Sequence, residues 1–232
     1  NTESYQSDLV GPTTILYEEE TTILSTNGWY NTQSELSMLL DRSQIIHADG
    51  MMLTGDTIYY DKAQGYGRCI GNIESVDSTN SMTLYGHKGE VWEKNNRAYV
   101  TDSAMLQDWS DSTAYTYMHA DSLWTEEVPY QIYTLRERDS ILIDSVLTAQ
   151  APDTIWSDTT YQQLRAFRNV RIYREDIQAV CDSARYHGRD SLITLYGLPI
   201  CWSDESQISA DQIDIYIKNE DVDYLYGQGN AI

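Results

Sequence analysis

Gly55-Asp56-Thr57-Ile58-Tyr59-Tyr60-Asp61 decides the fold, because weakened copies of it return along most of the 232 residues. An Asp or Gly is followed two positions on by an apolar residue with aromatics beside it. A polar turn, a second strand-like run and a Gly complete the module. Asp56 precedes Gly71 by 15 residues, Asp182 precedes Gly197 by 15, and Asp211 precedes Gly227 by 16. Module starts at Asp56, Gly89, Asp121, Asp182 and Asp211 are separated by 33, 32, 61 and 29 residues, the longest gap reading as two periods or one period plus an insertion. Self-similarity at such a period marks a repeat architecture, in which only stacked units bury a core.

Working outward, Tyr30 in Gly28-Trp29-Tyr30-Asn31 stands 30 residues before Tyr60, so the repeat begins early. Short runs between turn formers, such as Cys69 to Ile73, Met82 to Gly86, Ala98 to Val100 and Ile213 to Ile217, read as strands of four to six residues. Residues 1–20 read as a polar lead-in and an edge strand that caps the stack. Residues 126–165, with Pro129, Pro152 and a charged run from Arg136 to Asp139, break the rhythm and read as an insertion or long loop, with a short helix expected around 139–147. The rest is taken as one domain spanning 1–232. Roughly fourteen strands split between two facing sheets predict a body on the order of 35 Å long.

Nineteen Tyr and six Trp against one Phe suit half-buried pleated surfaces. A net charge of −21 argues against nucleic acid as a partner. No run of about 18 apolar residues is present to span a membrane as a helix. The absence of an initiator Met and of a signal pattern leads us to expect a leader already removed. Period-2 alternation places Ile58, Tyr60, Ile73, Leu84, Val91, Leu123, Val170, Ile172, Leu195, Ile213, Ile215 and Ile217 on an inner apolar face. The last of these strands is expected to form the C-terminal edge of the sheet, open to end-to-end association with another copy.

Gly28-Trp29-Tyr30-Asn31, Gly55 to Asp61, Gly71-Asn72-Ile73 and His119-Ala120-Asp121-Ser122-Leu123 together resemble the OstA-like family of Bacteroidetes, related to the lipopolysaccharide-transport proteins LptA, LptC and the periplasmic part of LptD. The resemblance covers about 20–125 and 165–232. It implies an all-β fold, an antiparallel β-jellyroll or folded-sheet trough open at its ends. It further implies a periplasmic protein whose groove, lined by the inner positions above, shields the acyl chains of lipopolysaccharide or lipid A. Partners would be similar proteins of the inner and outer membrane. No cofactor, metal or catalytic residue comes with the family. Without it, the same apolar residues read as the dry core of a β-sandwich, and a β-solenoid carbohydrate-active enzyme or a structural surface module stay open.

Other constellations are weaker. The column Asp56, Asp121, Asp182 and Asp211 could stack carboxylates, but Asp more often starts turns by bonding its own backbone. His47, His87 and His119 lack a second ligand at metal spacing. Six of the fifteen Lys and Arg fall between Arg165 and Arg189; Arg165, Arg168 and Arg174 are candidates for a headgroup phosphate, or else balance nearby acids. Cys181 and Cys201 bracket one strand pair and could form a disulfide or stay buried thiols, with Cys69 left over.

Overall fold

A computed structural model describes residues 5–17, 20–112, 114–136, 141–143, 146–148, 153–203, 206–218 and 221–232. Apart from a three-residue 3-10 turn at Glu93–Asn95, their regular structure is all strand. The strands are β1 (Gln6–Tyr17), β2 (Thr21–Asn31), β3 (Leu36–His47), β4 (Met51–Asp61), β5 (Tyr66–Asp77), β6 (Met82–Trp92), β7 (Arg97–Asp108), β8 (Thr116–Arg136), β9 (Ile141–Ile143), β10 (Val146–Thr148), β11 (Asp153–Tyr173), β12 (Ile177–His187), β13 (Leu192–Tyr196), β14 (Ile200–Ser203), β15 (Ser206–Ser209), β16 (Gln212–Lys218) and β17 (Asp221–Gln228). One antiparallel sheet runs β1 to β8, then β11, β12, β13, β16 and β17, with β14 pairing β12 and β15. Sequence neighbours are sheet neighbours, so the order is a meander. Thirteen strands on one path extend about 58 Å along the stacking direction, since each step is about 4.8 Å. The expectation of two separate sheets and a body near 35 Å is thereby corrected. Antiparallel pairing throughout also removes the β-solenoid, whose coils stack in parallel.

The two facing layers come instead from bending each full-width strand. Register breaks fall between Leu40 and Ser43, Thr54 and Thr57, Ile70 and Ile73, Tyr85 and Lys88, Thr101 and Ala104, and Phe167 and Val170. Two consecutive residues of positive φ make alternate corners: Asp41-Arg42, Gly71-Asn72, Asp102-Ser103, Arg168-Asn169 and Gly197-Leu198. Such bulges turn a strand sharply. Most of the full-width strands therefore have 11 or 12 residues, twice the expected length, and the whole sheet folds lengthwise into two arms. Near the C-terminus the corners interrupt the strands, between β13 and β14 and between β15 and β16.

The Asp-to-Gly spacing belongs to these corners and not to hairpin turns, which corrects the turn-starting role given to the Asp column. A Cβ on Gly71, φ +82°, would lie 2.4 Å from Asp56 Oδ2, so only glycine lets the carboxylate sit there. Asn72 Nδ2 donates to the same oxygen at 2.7 Å. Asp121 with Asn169 (3.0 Å) and Asp211 with Asn230 (3.0 Å) repeat the bond. Asp211 faces Gly229 and not Gly227, which lies against Ala210 and Ile208. Gly89 is likewise no module start; it sits inside β6 opposite Val100, three residues past the corner. The hairpin turns use other residues, Asn31, Asp61 and Asp77, whose side chains accept backbone N–H groups two or three positions on.

The segment 126–165, expected as an insertion or long loop, is strand wherever it is described. β8 and β11 pair without a break from Ser122↔Phe167 to Arg136↔Asp153, and the ribbon projects beyond β7 and β12. Within the expected helix at 139–147, Ile141–Ile143 and Val146–Thr148 are paired strands, while 137–140, 144–145 and 149–152 lie outside the described residues.

Candidate functional site, the inner trough

Cross-strand register assembles the inner face into rows, because directly paired residues share a face. On the first arm one row runs Leu9, Gly28, Leu39, Ile58, Cys69, Gly89, Val100, Leu123, Ala166, Ala184, Leu195, Ile213 and Gly227. Two residues farther from the corner, Tyr60, Gly67, Val91, Ala98, Thr125, Leu164, Tyr186, Ile193, Ile215 and Leu225 form a second. The second arm answers with Ile15, Ile23, Ile45, Leu53, Ser75, Leu84, Leu106, Met118, Ile172, Ala179, Cys201 and Ile208.

The trough is not uniform along its length. From Val100 onward the arms close into one dry core holding Leu123, Ala166, Ile172, Ala179, Leu195, Cys201 and Ile213. Toward the N-terminus the buried hydrophobic residues among the described ones are Leu9, Leu39, Ile58, Cys69 and Ile73, and the second arm's Ile15, Ile23, Ile45 and Leu53 pack against them while only partly buried. This less completely sealed aliphatic stretch of the N-terminal half is the candidate slot.

All twelve positions taken as inward lie on the inner face, with Ile217 one step past Ile215 in the same alternation. Their burial divides them. Leu123, Val170, Leu195, Ile213 and Ile215 are sealed, and Tyr60, Leu84, Val91 and Ile217 are half-buried. The slot's own residues, Leu9, Ile15, Ile23, Leu39, Ile45 and Leu53, were not among them. A signal for them stands in the sequence, since Leu9, Leu39 and Cys69, Ile15 and Ile45, and Ile23 and Leu53 are each 30 apart. Tyr60 marks the rim, its hydroxyl donating to Glu93 Oε2 at 2.9 Å. Burial first, then Glu93, pushes its ionisation above the ordinary tyrosine range. The strand Ile213 to Ile217, expected at the edge, is internal; β17 lies beyond it.

The polar candidates are engaged locally. Arg165 meets Glu126 at 3.0 Å, Arg168 meets Asp121 at 3.5 Å, and Arg174 forks onto Asp176 at 2.6 and 2.8 Å, so a phosphate would compete with a carboxylate at each. His47 Nδ1 pairs with the Thr21 hydroxyl at 3.0 Å, and His87 and His119 are exposed. Cys69, Cys181 and Cys201 are free thiols. Burial pushes them up to about 12, 12 and 11. A cleft of about 560 Å³ lined by Arg42, Ile73, Glu74, Tyr85, His87 and Asp102 follows the corner.

A single antiparallel sheet folded lengthwise around an apolar seam, fully sealed in its C-terminal half and less completely in its N-terminal half, defines the class: an all-β folded-sheet trough. No protein-family model matches the chain, and no curated protein matches it. Among solved structures it is similar to LptH, described as the LptA homologous periplasmic component of the conserved lipopolysaccharide transport device from Pseudomonas aeruginosa, at 9% identity over 78% of this chain and 83% of that one, with a TM-score of 0.29. A likeness that low carries no argument about function; the geometry of the trough does.

Proposed function

We propose that this protein is a lipid-binding transport component that shields the acyl chains of a glycolipid, lipopolysaccharide or lipid A, in the N-terminal half of its trough. One observation carries the reading: Ile15, Ile23, Ile45 and Leu53 form a partly buried aliphatic row on four consecutive strands, packed against the buried Leu9, Leu39 and Ile58 yet not sealed from solvent. Each methylene moved from water onto such a row is worth about 0.8 kcal/mol, and the attraction has no direction, so a chain can be held and still slide. The periplasm, where such a cargo crosses between two membranes, is the matching compartment. Similar proteins of the inner and outer membrane are the matching partners, and the free edge of β1 supplies a surface for end-to-end association.

The test is lipid analysis of natively purified protein by mass spectrometry, together with uptake of a fluorescent acyl probe by the Ile45→Trp variant. A larger apolar ring at Ile45 narrows the slot without adding charge. Expected are co-purified acyl lipids and at least about tenfold weaker probe uptake by the variant, a loss equal to one or two methylene contacts. A folded variant that takes up the probe as the parent does, from protein carrying no lipid, overturns the proposal.

A further inference from the structure

The ribbon formed by β8 and β11 beyond the sheet belongs to none of the trough's rows. Nine residues of each strand, 128 to 136 and 153 to 161, pair only with each other among the described residues. A two-stranded ribbon is marginal in water. This one nevertheless exposes Ile132 (43%), Tyr133 (61%), Ile155 (43%) and Trp156 (61%), with the Tyr133 and Trp156 rings 5.4 Å apart.

Its two free edges are not alike. In an antiparallel strand the N–H and C=O of one residue point to the same side, and the side alternates. The Gln162 carbonyl accepts the Gly188 N–H at 2.9 Å, on the side away from β8. The outward set on β11 is therefore Thr154, Trp156, Asp158 and Thr160, each with its N–H. On the other strand the Glu127 N–H donates to the Asn96 carbonyl at 3.1 Å, so the outward set there is Pro129, Gln131 and Tyr133. Pro129 has no N–H, and a proline is a standard block against strand pairing. One edge is closed at its root, and the other presents an unbroken row of donors and acceptors.

We propose that the free edge of β11, Thr154 to Thr160, is a docking site for an extended, basic segment of another protein, which adds to the ribbon as a third strand. The backbone row fixes the class of partner, because among macromolecules only an extended polypeptide repeats donors and acceptors at that spacing. Charge chooses between a foreign strand and a second copy. The edge carries Asp158 in a protein of net charge −21, so a second copy meets like charge and a basic segment meets its complement. Trp156 and Tyr133 on one face, and Ile155 and Ile132 on the other, supply apolar cover for the added strand's side chains.

The experiment titrates the full chain into a fluorescein-labelled peptide of about seven residues alternating lysine and valine, read by anisotropy. A matched peptide N-methylated at every second amide keeps charge and side chains but cannot join a ladder. Expected is saturable binding of the first and at least about tenfold weaker binding of the second, with Thr160→Pro losing about tenfold as well. Thr160→Pro places opposite Pro129 the same change that strand already tolerates. Equal binding of both peptides, no binding of either, or parent-like binding by a Thr160→Pro variant with unchanged circular dichroism overturns the proposal. So does self-association of the parent that Thr160→Pro abolishes, since the occupant would then be a second copy.

Discussion

Gly71→Ala tests the corner that makes a trough out of a meander. Gly71 has φ +82°, and an alanine Cβ there would stand 2.4 Å from Asp56 Oδ2 and 2.8 Å from Asp56 Cβ, where ordinary contacts begin near 3.4 Å. Holding a non-glycine residue in that region costs about 1–2 kcal/mol. Pushing the Asp56 carboxylate aside gives up its bond from Asn72, about 0.5–1.5 kcal/mol more. The expected loss is about 2–3 kcal/mol by urea denaturation, with the slope unchanged because the surface exposed on unfolding is the same. In an Asp56→Gly background the steric part vanishes and only the backbone cost remains, so the two substitutions should couple by about 1 kcal/mol. A loss under about 0.5 kcal/mol, or one equal in both backgrounds, would show that Asp56 and Gly71 do not face each other across the corner.

Closure of one half of the trough and opening of the other predicts unequal core costs. Leu195→Ala, at a site with no exposure, should cost about 3 kcal/mol, and Ile45→Ala, half-exposed, about 1 kcal/mol, compared by urea midpoint. The buried thiols should resist a disulfide reagent in the folded protein at pH 8 and react on unfolding, read by absorbance. Because burial raises the Cys69 thiol from its ordinary 9.0 to about 12, its effect on stability is flat below 9.0 and turns unfavourable as pH rises through that window, where the unfolded chain ionises first. Cys69→Ala should flatten the alkaline fall measured by denaturation at pH 8, 9 and 10.

Strand content, the period near 30 and the identity of the inner face were legible because each depends on local alternation. Ile58, Leu123, Leu195 and Ile213 fall in one row across distant strands because the pleat allows only two faces. The corners were misread because a bulge and a hairpin turn call on the same residues, Gly, Asp and Asn, for their ease at positive φ. A pair of adjacent residues able to adopt it, as in Asp41-Arg42 or Asp102-Ser103, marks the corner. A single Asn or Asp followed by polar residues, as at Asn31 and Asp77, marks the turn. Length discriminates too, since a corner taken for a turn cuts each strand of about twelve residues into two of five.

How completely the trough is sealed follows side-chain size, which alternation alone does not weigh. Among the described residues every buried alanine lies after residue 100: Ala104, Ala120, Ala166, Ala179, Ala184 and Ala210. Small side chains interleaved with Leu123, Leu195 and Ile213 let the two arms approach until the seam is filled, as close packing demands. In the N-terminal half Ile15, Ile23, Ile45 and Leu53 are large on four strands in succession, and they pack against the row of Leu9, Gly28, Leu39 and Ile58 while staying only partly buried. The same hydrophobic pattern thus seals fully where small and large side chains interleave and leaves partial exposure at the N-terminal end, away from the more strongly patterned Ile213 to Ile217, and that end is where the proposed function seats the acyl chains.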